Sequence, residues 1–440
     1  MHIEMPRDVV YIIEQLNNAG HQAYAVGGCV RDSLLGRIPN DWDITTSATP
    51  EEIKAVFRRT VDTGIKHGTV TVLMGKEGYE VTTFRIDGEY SDHRRPDGVT
   101  FTSELKEDLL RRDFTINAMA YNDETGLVDL YGGEDDLKNR VIRCVGVPDE
   151  RFDEDALRIM RAVRFAAQLG FEIDEASRDA AERHALDLRN VSAERIETEL
   201  TKLLVSPHPE KLMDMYEMGI TAVMLPEFDR MIDTPQNTPY HKYDVGRHTI
   251  EVMKNVSPTK VMRYAALLHD TGKVETRTTD ENGRDHFKGH SFASEKIAEK
   301  VLRRLRMDND TIRDVKKIVL WHDFGIKGGI TIKSVRKMLS QMGEEYFDDY
   351  VEIKRADIIG QSDYRSDVSY DNLDMIIDFH DEIMKDGDAL SISDLALKGQ
   401  DLIEMGIKPG PEMGEILRGL LDKVLDDPEL NTKERLKELL

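Results

Sequence analysis

The stretch GGCVRDSLLGRIPNDWDITT (residues 27–46) combines a glycine pair with two aspartates that flank a tryptophan. QAYAV before it predicts a strand, and CVRDSLLG predicts a helix that ends at Gly36. DWDITTS predicts a second strand, in which Asp41 and Asp43 point to the same face because side chains alternate along a strand. Two convergent carboxylates repel each other unless a cation lies between them, and hard oxygen ligands of this kind suit Mg²⁺.

The glycine pair predicts a phosphate site next to this metal site. Gly27 and Gly28 let the backbone approach a ligand closely, and the N–H groups at the start of a helix favour phosphate. Arg31, about one turn into the helix, adds a positive charge. A glycine pair alone is usually a turn, and a D-x-D alone is usually a solvated strand end. Their combination predicts Mg²⁺-assisted nucleotidyl transfer, with the metal on Asp41 and Asp43 and phosphate on Gly28 and Arg31.

Further elements extend this pattern to an α/β head followed by a long all-α region. TPEEIKAVFRR predicts a helix with Thr49 as its N-cap and Pro50 at its first position. GTVTVLMG and YEVTTFRI predict alternating strands, so residues 20–87 form a mixed sheet with helices. DGEYSDHRRPDGVTF predicts a mobile loop, and helical periodicity dominates from about Asp149 onward.

Composition predicts a globular, cytoplasmic chain with no membrane segment. The 440 residues are 40% hydrophobic and 33% charged, and the start of the chain has no apolar signal region. Cys29 and Cys144 are the only cysteines, which indicates a reducing compartment. A net charge of -24 argues against indiscriminate coating of nucleic acid, but it leaves room for a local basic track.

The segment EDALRIMRAVRF predicts such a track. At about 100° per residue, one side of a helix collects the charged residues Asp155, Arg158, Arg161 and Arg164. This stripe could be an ordinary solvated row of ion pairs. It could also read bases, because a carboxylate accepts from the exocyclic amine of cytosine or adenine while a guanidinium donates to the ring nitrogen. Uracil and guanine would present a carbonyl to the carboxylate, a mismatch that costs about 1–3 kcal/mol when buried.

Five motifs in order resemble one known family: GGCVRDSLLGRIPNDWDI, RRDFTINAMAY, DLYGGEDDLKNRVIRCVG, EDALRIMRAVRFAAQLGF and ERIETELTKLL. Over residues 20–230 the chain resembles the class II bacterial tRNA nucleotidyltransferases, the CCA-adding enzymes, which are close relatives of bacterial poly(A) polymerases. The resemblance implies attack of the tRNA 3′-hydroxyl on the α-phosphorus of CTP or ATP, with release of pyrophosphate and Mg²⁺ as cofactor.

The resemblance also implies roles for individual residues. Asp155 and Arg158 would select cytosine and adenine, with Glu154 bracing the pair. Arg112 of RRDFTINA would contact the incoming nucleotide. Arg161 and Arg164 would steady Arg158 or reach the triphosphate, Asp113 would order the loop before a catalytic strand, and the loop SDHRRPDGVTF would match the family's flexible loop near the site.

The downstream region contains a second motif set, which resembles HD-domain metal phosphohydrolases. An H…HD…D order is formed by His248, His269, Asp270 and Asp357. Histidine and carboxylate ligands suit a divalent transition metal or Mg²⁺, which predicts a second metal in this region. Lys273 could meet a phosphate, and His290 and His322 fall where two-metal sites recruit further histidines. The alternative is a helical scaffold without activity.

These signals predict four domains: a head over residues 1–148, a helical neck with the base-recognition helix over 149–235, an HD-type domain over 236–365 and a helical tail that binds tRNA over 366–440. A poly(A) polymerase, or an enzyme that adds only CC or only A, would share the head. From another class, the chain could be an HD phosphohydrolase with a degenerate head. The acidic C-terminal segment favours CCA addition, and the oligomeric state stays open.

Overall fold

The computed structural model describes residues 2–88, 98–325 and 329–440. The chain forms two compact units, Met1–Pro226 and Glu227–Leu440. The predicted loop residues Asp92, His93 and Arg94 to Pro96 lie outside the described residues. No helix among the described residues is long and apolar enough to cross a membrane.

The first unit begins with a mixed sheet in the strand order β3-β4-β5-β2-β1-β8-β9, and β6 and β7 pair separately. Its strands are Ala23–Val26 (β1), Ile44–Thr46 (β2), Thr60–Gly64 (β3), Thr69–Met74 (β4), Glu77–Thr83 (β5), Arg85–Asp87 (β6), Val99–Phe101 (β7), Met119–Asn122 (β8) and Gly126–Asp129 (β9). Its helices are Arg7–Asn18 (α1), Gly28–Leu34 (α2), Pro50–Val56 (α3), Leu105–Leu110 (α4) and Gly133–Asn139 (α5). The α/β head predicted from the sequence is therefore confirmed.

Local sequence explains the elements that flank Asp41 and Asp43, which together are called the acid pair. Thr49 and Glu52 form a capping box at the start of α3, with Pro50 at its first position, as predicted. Gly27 precedes α2 at φ +82°, a backbone conformation that favours glycine. β2 pairs with β1 on one side and runs parallel to β5 on the other, with Ile44 opposite Val81. The end of β2 is thus fixed against two neighbouring strands.

The predicted strand over DWDITTS is shorter in the structure. β2 begins only at Ile44, and Asp41 to Asp43 form the irregular segment that leads into it. Asp41 and Asp43 are both exposed, whereas all three residues of β2 are buried. The strand is confined to the buried residues because the acidic segment has no buried face to pack.

Helices form most of the rest of the first unit. They are Pro148–Glu154 (α6), Leu157–Leu169 (α7), Glu175–His184 (α8), Ala193–Leu204 (α9), Leu212–Glu217 (α10), Thr221–Met224 (α11) and Pro226–Ile232 (α12), the last of which continues into the second unit; two short strands, Val141–Ile142 (β10) and Glu172–Ile173 (β11), pair in parallel. The expected continuous helix over EDALRIMRAVRF is interrupted, because Asp155 adopts an extended conformation between α6 and α7. Its carboxylate accepts a hydrogen bond from the Leu157 N–H, which stabilises this break.

The second unit is helical, which confirms the predicted all-α region. Its helices are Val245–Lys254 (α13), Lys260–Leu268 (α14), Lys273–Thr276 (α15), His290–Arg304 (α16), Asn309–Trp321 (α17), Ile332–Met342 (α18), Phe347–Gly360 (α19), Ser366–Asp386 (α20), Gly399–Glu404 (α21), Pro411–Asp426 (α22) and Lys433–Glu438 (α23), with one hairpin of Thr278–Thr279 (β12) and Asp285–His286 (β13). One apolar core joins α18, α19 and α20, and another joins α21, α22 and α23.

Candidate functional site

The acid pair borders an open cavity of about 1050 Å³ in the first unit. Asp41, Trp42 and Asp43 line it together with Glu80 of β5. Because Ile44 is opposite Val81 in parallel register, Glu80 lies next to the position of Asp43. Glu80 is a carboxylate at the same site that sequence reasoning missed, since only the strand pairing brings it there.

Asp41 and Arg112 both influence the ionisation of Asp43. Partial removal from water raises the pKa of Asp43, Arg112 acts in the opposite direction, and the negative charge of Asp41 raises the pKa further. A neighbouring negative charge resists ionisation of a carboxyl, and a cation bound by both carboxylates would relieve this repulsion. The structure therefore brings Asp41 and Asp43 together beside Arg112.

The glycine pair lies against two guanidinium groups. A Cβ atom on Gly27 would lie 2.9 Å from Nη1 of Arg112, and one on Gly28 would lie 3.7 Å from Nη2 of Arg31. A Cβ at position 27 would require the Arg112 side chain to shift, and the positive φ strains any side chain there, so position 27 favours glycine. Arg112 thus contacts the glycine pair on one side and compensates the charge of Asp43 on the other.

Asp108 anchors the turn formed by Arg111, Arg112 and Asp113. This carboxylate is fully buried, accepts two hydrogen bonds from Arg111 (2.7 and 3.0 Å) and one from Thr45 of β2 (2.9 Å), and lies 3.7 Å from Nη2 of Arg112. Burial alone would raise the pKa of Asp108, but the two arginines outweigh it and the pKa is lowered. Asp108 therefore stays charged and ties the turn to the strand that follows the acid pair. The sequence offers no local signal for this contact.

A buried hydrogen-bond chain joins two of the predicted phosphate-binding arginines. Arg31 donates from Nη1 to Asn117 (2.6 Å), and Asn117 donates to Asp113 (3.1 Å). Asp113 accepts a hydrogen bond from Nε of Arg161 (2.8 Å) and another from the Phe114 N–H (2.8 Å). Burial raises the pKa of Asp113, but Arg161 and the hydrogen bonds to the carboxylate outweigh it, so the pKa is strongly lowered. The ionised Asp113 carboxylate thus binds Arg161 directly and Arg31 through Asn117.

The predicted base-reading residues lie at the junction of α6 and α7. Asp155 accepts two hydrogen bonds from Arg195 of α9, at 2.7 and 3.2 Å. Arg158 ion-pairs with Glu154, as the bracing role requires, and donates to the backbone carbonyl of Arg111 at 3.1 Å. The side chains of Asp155 and Arg158 are therefore each oriented by another partner rather than by each other.

Two residues of the α9 motif ERIETEL, to which the sequence analysis assigned no role, are partners of predicted site residues. Arg195 orients Asp155, and buried Glu199 ion-pairs with Arg164 of α7. A carboxylate offers about four acceptor positions, so Asp155 keeps capacity for one more donor after its bonds to Arg195 and to the Leu157 N–H. That remaining acceptor is what recognition of an exocyclic amine needs.

The second unit brings the predicted histidine and aspartate residues into one buried cluster. Two groups have the spacing of metal ligands: His248, His269 and Asp357, and Asp270, His290 and His322. Asp270 lies between the groups, with Oδ2 at 3.3 Å from His269 Nε2 and Oδ1 at 3.4 Å from His290 Nε2. His248 Nε2 is 3.1 Å from Asp357 Oδ1 and 3.5 Å from Asp270 Oδ2. All four predicted residues thus converge, and His290 and His322 complete a second group.

The ring orientations leave Nε2 atoms pointing at other acceptors. In His269, His290 and His322, Nδ1 lies 2.6 to 2.9 Å from the backbone carbonyl three residues earlier, so Nδ1 carries the proton. In the neutral rings Nε2 then bears a lone pair, yet His290 Nε2 and His322 Nε2 are only 3.2 Å apart. Burial lowers the pKa of His290 to about 4, which disfavours a shared proton. This donor arrangement fits a divalent metal ion.

Two buried lysines flank the cluster. Lys273 lies 2.6 Å from Asp270 Oδ2 and donates to Gln236 at 2.9 Å, and Lys354 donates to the backbone carbonyl of His322 at 3.0 Å. Burial lowers the pKa of His269, but Asp270 outweighs this and the pKa is raised. Metal binding at His269 would therefore compete with protonation of this ring.

Three family models match successive parts of the chain. A Poly A polymerase head domain model matches residues 23–143, a model described as "Probable RNA and SrmB- binding site of polymerase A" matches 170–232, and a tRNA nucleotidyltransferase domain 2 model matches 290–440. The class defined by the head and its acid pair is therefore that of the nucleotidyltransferases.

Individual relatives are similar over nearly the whole chain. The CCA-adding enzymes of Levilactobacillus brevis and Latilactobacillus sakei are 37% and 38% identical over 98% and 97% of this chain and cover 96% and 95% of their own lengths. The structure of the Bacillus stearothermophilus CCA-adding enzyme in complex with CTP has a TM-score of 0.73 at 30% identity, over 99% of this chain and 98% of that one. The chain belongs to the family of CCA-adding enzymes.

Proposed function

We propose that the chain adds CCA to the 3′ end of tRNA, using CTP and ATP without a nucleic-acid template and releasing pyrophosphate. The observation that carries this proposal is the contiguity of the acid pair, Arg112 and the glycine pair in a head of this family. The acid pair suits a cation, and the glycine pair with Arg112 suits a triphosphate. We also propose that the chain works in the cytoplasm, where its tRNA substrate lies.

The acid pair is proposed to hold Mg²⁺. Asp41 and Asp43 fit this ion because they are hard oxygen donors close enough for one charge to raise the pKa of the other. When bound, Mg²⁺ would neutralise charge on the reacting phosphate and make the attacking hydroxyl more acidic. Arg112 would limit repulsion between the triphosphate and Asp43, because its guanidinium lies next to Gly27 and also offsets the charge of Asp43.

The phosphate groups of the nucleotide are assigned to the cationic surface around the glycine pair. Gly28 and Arg31 would bind phosphate directly, because Arg31 uses only part of its donor set on Asp32 and Asn117. Arg161 is half-exposed and would contribute a further charge, whereas buried Arg164 is paired with Glu199 and would act through its neighbours. This division assigns attraction of the triphosphate to the half-buried Arg161 and positioning to the buried Arg164.

Base choice is assigned to Asp155 and Arg158. Asp155, held by Arg195, would accept a hydrogen bond from the amine of cytosine or adenine, and Arg158, held by Glu154, would donate to the ring nitrogen. The same two contacts serve both bases because both carry an amine next to a ring acceptor. Uracil and guanine would leave Asp155 facing a carbonyl.

The test is to incubate the protein with tRNA lacking its CCA end and with each nucleotide alone and in combination, and to sequence the product ends. We expect CCA ends with CTP plus ATP, and loss of incorporation in Asp41→Ala and Asp43→Ala. Asp62→Ala, an exposed aspartate of β3, is the matched control and should keep activity. Products ending in poly(A), in CC only or in A only would instead identify a poly(A) polymerase, a CC-adding enzyme or an A-adding enzyme. Nucleotide incorporation by Asp41→Ala or Asp43→Ala would show that the acid pair is not required for the reaction.

A second candidate function is favoured by the buried histidine cluster of the second unit. We propose that this cluster is an HD-type divalent metal site with phosphohydrolase activity, in which Asp270 would contact both ligand groups and Lys273 would meet a phosphate. Facing lone pairs on His290 and His322 support a cation site there. The head keeps its acid pair, glycine pair and arginines, which argues against a degenerate head.

Metal analysis of the wild type and His269→Ala tests the second function, together with hydrolysis of phosphomonoesters and 2′,3′-cyclic nucleotides. We expect bound divalent metal and hydrolysis in the wild type, and loss of both in the variant while CCA addition continues. Wild-type protein that binds no metal after incubation with Mn²⁺, Co²⁺ or Mg²⁺ would leave the cluster as a helical scaffold.

A further inference from the structure

We infer that Phe165 is a positioning residue that organises three arginines of the head for binding the triphosphate, an inference that rests on the proposed function. The buried Phe165 ring lies under the guanidinium groups of Arg164, Arg31 and Arg161, with Cζ-to-centroid distances of 3.7, 5.0 and 5.5 Å. All three distances are within the range of cation–π attraction, which is about 6 Å.

The ring itself is fixed by packing on its edge. Phe114 meets Phe165 in an edge-to-face contact, with centroids 5.8 Å apart and planes at 80°. Phe114 belongs to the same turn as Asp113, whose carboxylate binds Arg161. The aromatic pair and the Asp113 hydrogen-bond chain therefore hold the arginines in one rigid assembly.

Three guanidinium groups around one ring repel each other, so their charges need compensation. Each has its own carboxylate: Arg31 pairs with Asp32, Arg161 with Asp113, and Arg164 with Glu199. Asp32 and Glu199 each bind one arginine, and Asp113 binds Arg161 directly and Arg31 only through Asn117, whereas the ring contacts all three directly. Phe165 thus sets the positions of the guanidinium groups relative to one another.

Arg31 keeps donors for a ligand although it is restrained. Arg31 spends Nε and one Nη2 hydrogen on Asp32 and one Nη1 hydrogen on Asn117, which leaves two of its five N–H donors. Its Nη2 atom lies 3.7 Å from the place a Cβ on Gly28 would occupy, so the group borders the glycine pair. An aromatic ring that holds the plane of Arg31 would direct these donors at a phosphate over Gly28.

This role separates phosphate affinity from base choice. The three arginines over Phe165 are not the residues assigned to base choice, so a change at Phe165 should weaken CTP and ATP alike. If Phe165 only filled the core, its replacement would lower the amount of folded enzyme and hence the apparent turnover number. If Phe165 positions the arginines, its replacement weakens phosphate binding and raises KM.

The experiment replaces Phe165 by Leu, by Tyr and by pentafluorophenylalanine, which keeps the shape of the ring but removes its negative face. Phe171→Leu is the matched control, because this buried ring lies under Arg140 at 6.0 Å, an arginine to which no phosphate role is assigned. We expect Phe165→Leu and the fluorinated ring to raise KM for CTP and ATP by about tenfold with little change in kcat, because both variants lose the cation–π contacts that hold the arginines. Phe165→Tyr and Phe171→Leu should resemble the wild type.

An unchanged KM with the fluorinated ring would overturn the inference, and so would a loss that affects CTP but not ATP. Binding of inorganic tripolyphosphate, measured by calorimetry, separates this result from the proposed function. If the wild type incorporated no nucleotide, the proposed function would fail, while weaker tripolyphosphate binding in the fluorinated variant would still support the role of Phe165.

Discussion

Replacing Gly27 by Ala tests whether Arg112 and the glycine pair act together. Gly27 has φ +82° and ψ -129°, a conformation in which a side chain costs about 1–3 kcal/mol of folding free energy. The added Cβ would lie 2.9 Å from Nη1 of Arg112, so the guanidinium end must retreat by at least about 0.5 Å to reach normal contact. Because misplacement of about 1 Å at a reaction centre can cost about a hundredfold, we expect a loss of about ten- to a hundredfold in kcat/KM for CTP.

Gly132→Ala is the matched control for this prediction. Gly132 also precedes a helix at positive φ (+78°), but no atom lies within 4 Å of its Cβ position. We expect a stability loss of about 1–2 kcal/mol and unchanged kinetics. A double-mutant cycle then measures the coupling: in an Arg112→Ala background, Gly27→Ala should weaken CTP binding little further. Equal losses in CTP affinity in both backgrounds would refute the connection between Gly27 and Arg112.

Three other predictions address the rest of the molecule. Asp155→Ala should let UTP and GTP compete with CTP in single-nucleotide incorporation, and unchanged selectivity would exclude the carboxylate from base choice. Asp113 has a lowered pKa when folded, so its contribution to stability is present above its unfolded pKa of about 3.9 and is lost as the pH falls below it; the difference in urea unfolding free energy between wild type and Asp113→Asn should therefore shrink between pH 6 and pH 3. Asp270→Asn should remove metal from both ligand groups, whereas His290→Ala should remove it from one, as metal analysis would show.

The sequence predicted the head well because its signals are local. The capping box of Thr49, the glycine before α2 and the strands beside it depend on neighbours a few residues away. Strand length was the exception, since the alternation in DWDITTS extends beyond the buried residues that form β2. Burial is a property of the folded sheet, so the sequence pattern alone overestimated the strand.

The partners of the site residues could not be predicted for a related reason. Arg195 lies 40 positions from Asp155, and Asp108 is 63 positions from Thr45, so neither pairing has a sequence spacing that would reveal it. The helical periodicity of EDALRIMRAVRF also concealed the break at Asp155, which depends on bonds to Arg195 and to the Leu157 N–H. Tertiary contacts override helical propensity at such a position.

The residues of the histidine cluster, in contrast, could be predicted from the sequence although they are far apart along the chain. His248, His269, Asp270 and Asp357 lie on different helices or helix ends, yet their residue types and order predicted their convergence. The ring orientations and the approach of His290 to His322 came only from the structure, because backbone carbonyls three residues earlier determine which nitrogen faces the cluster.

The most direct test of the central claim is a crystal structure of the protein with a non-reactive CTP analogue and Mn²⁺, in which anomalous scattering locates the ion. We expect Mn²⁺ bound by both Asp41 and Asp43 and by phosphate oxygens, with the triphosphate against Gly28, Arg31 and Arg112. An ion bound away from the two aspartates, or a triphosphate bound away from the glycine pair, would contradict the account.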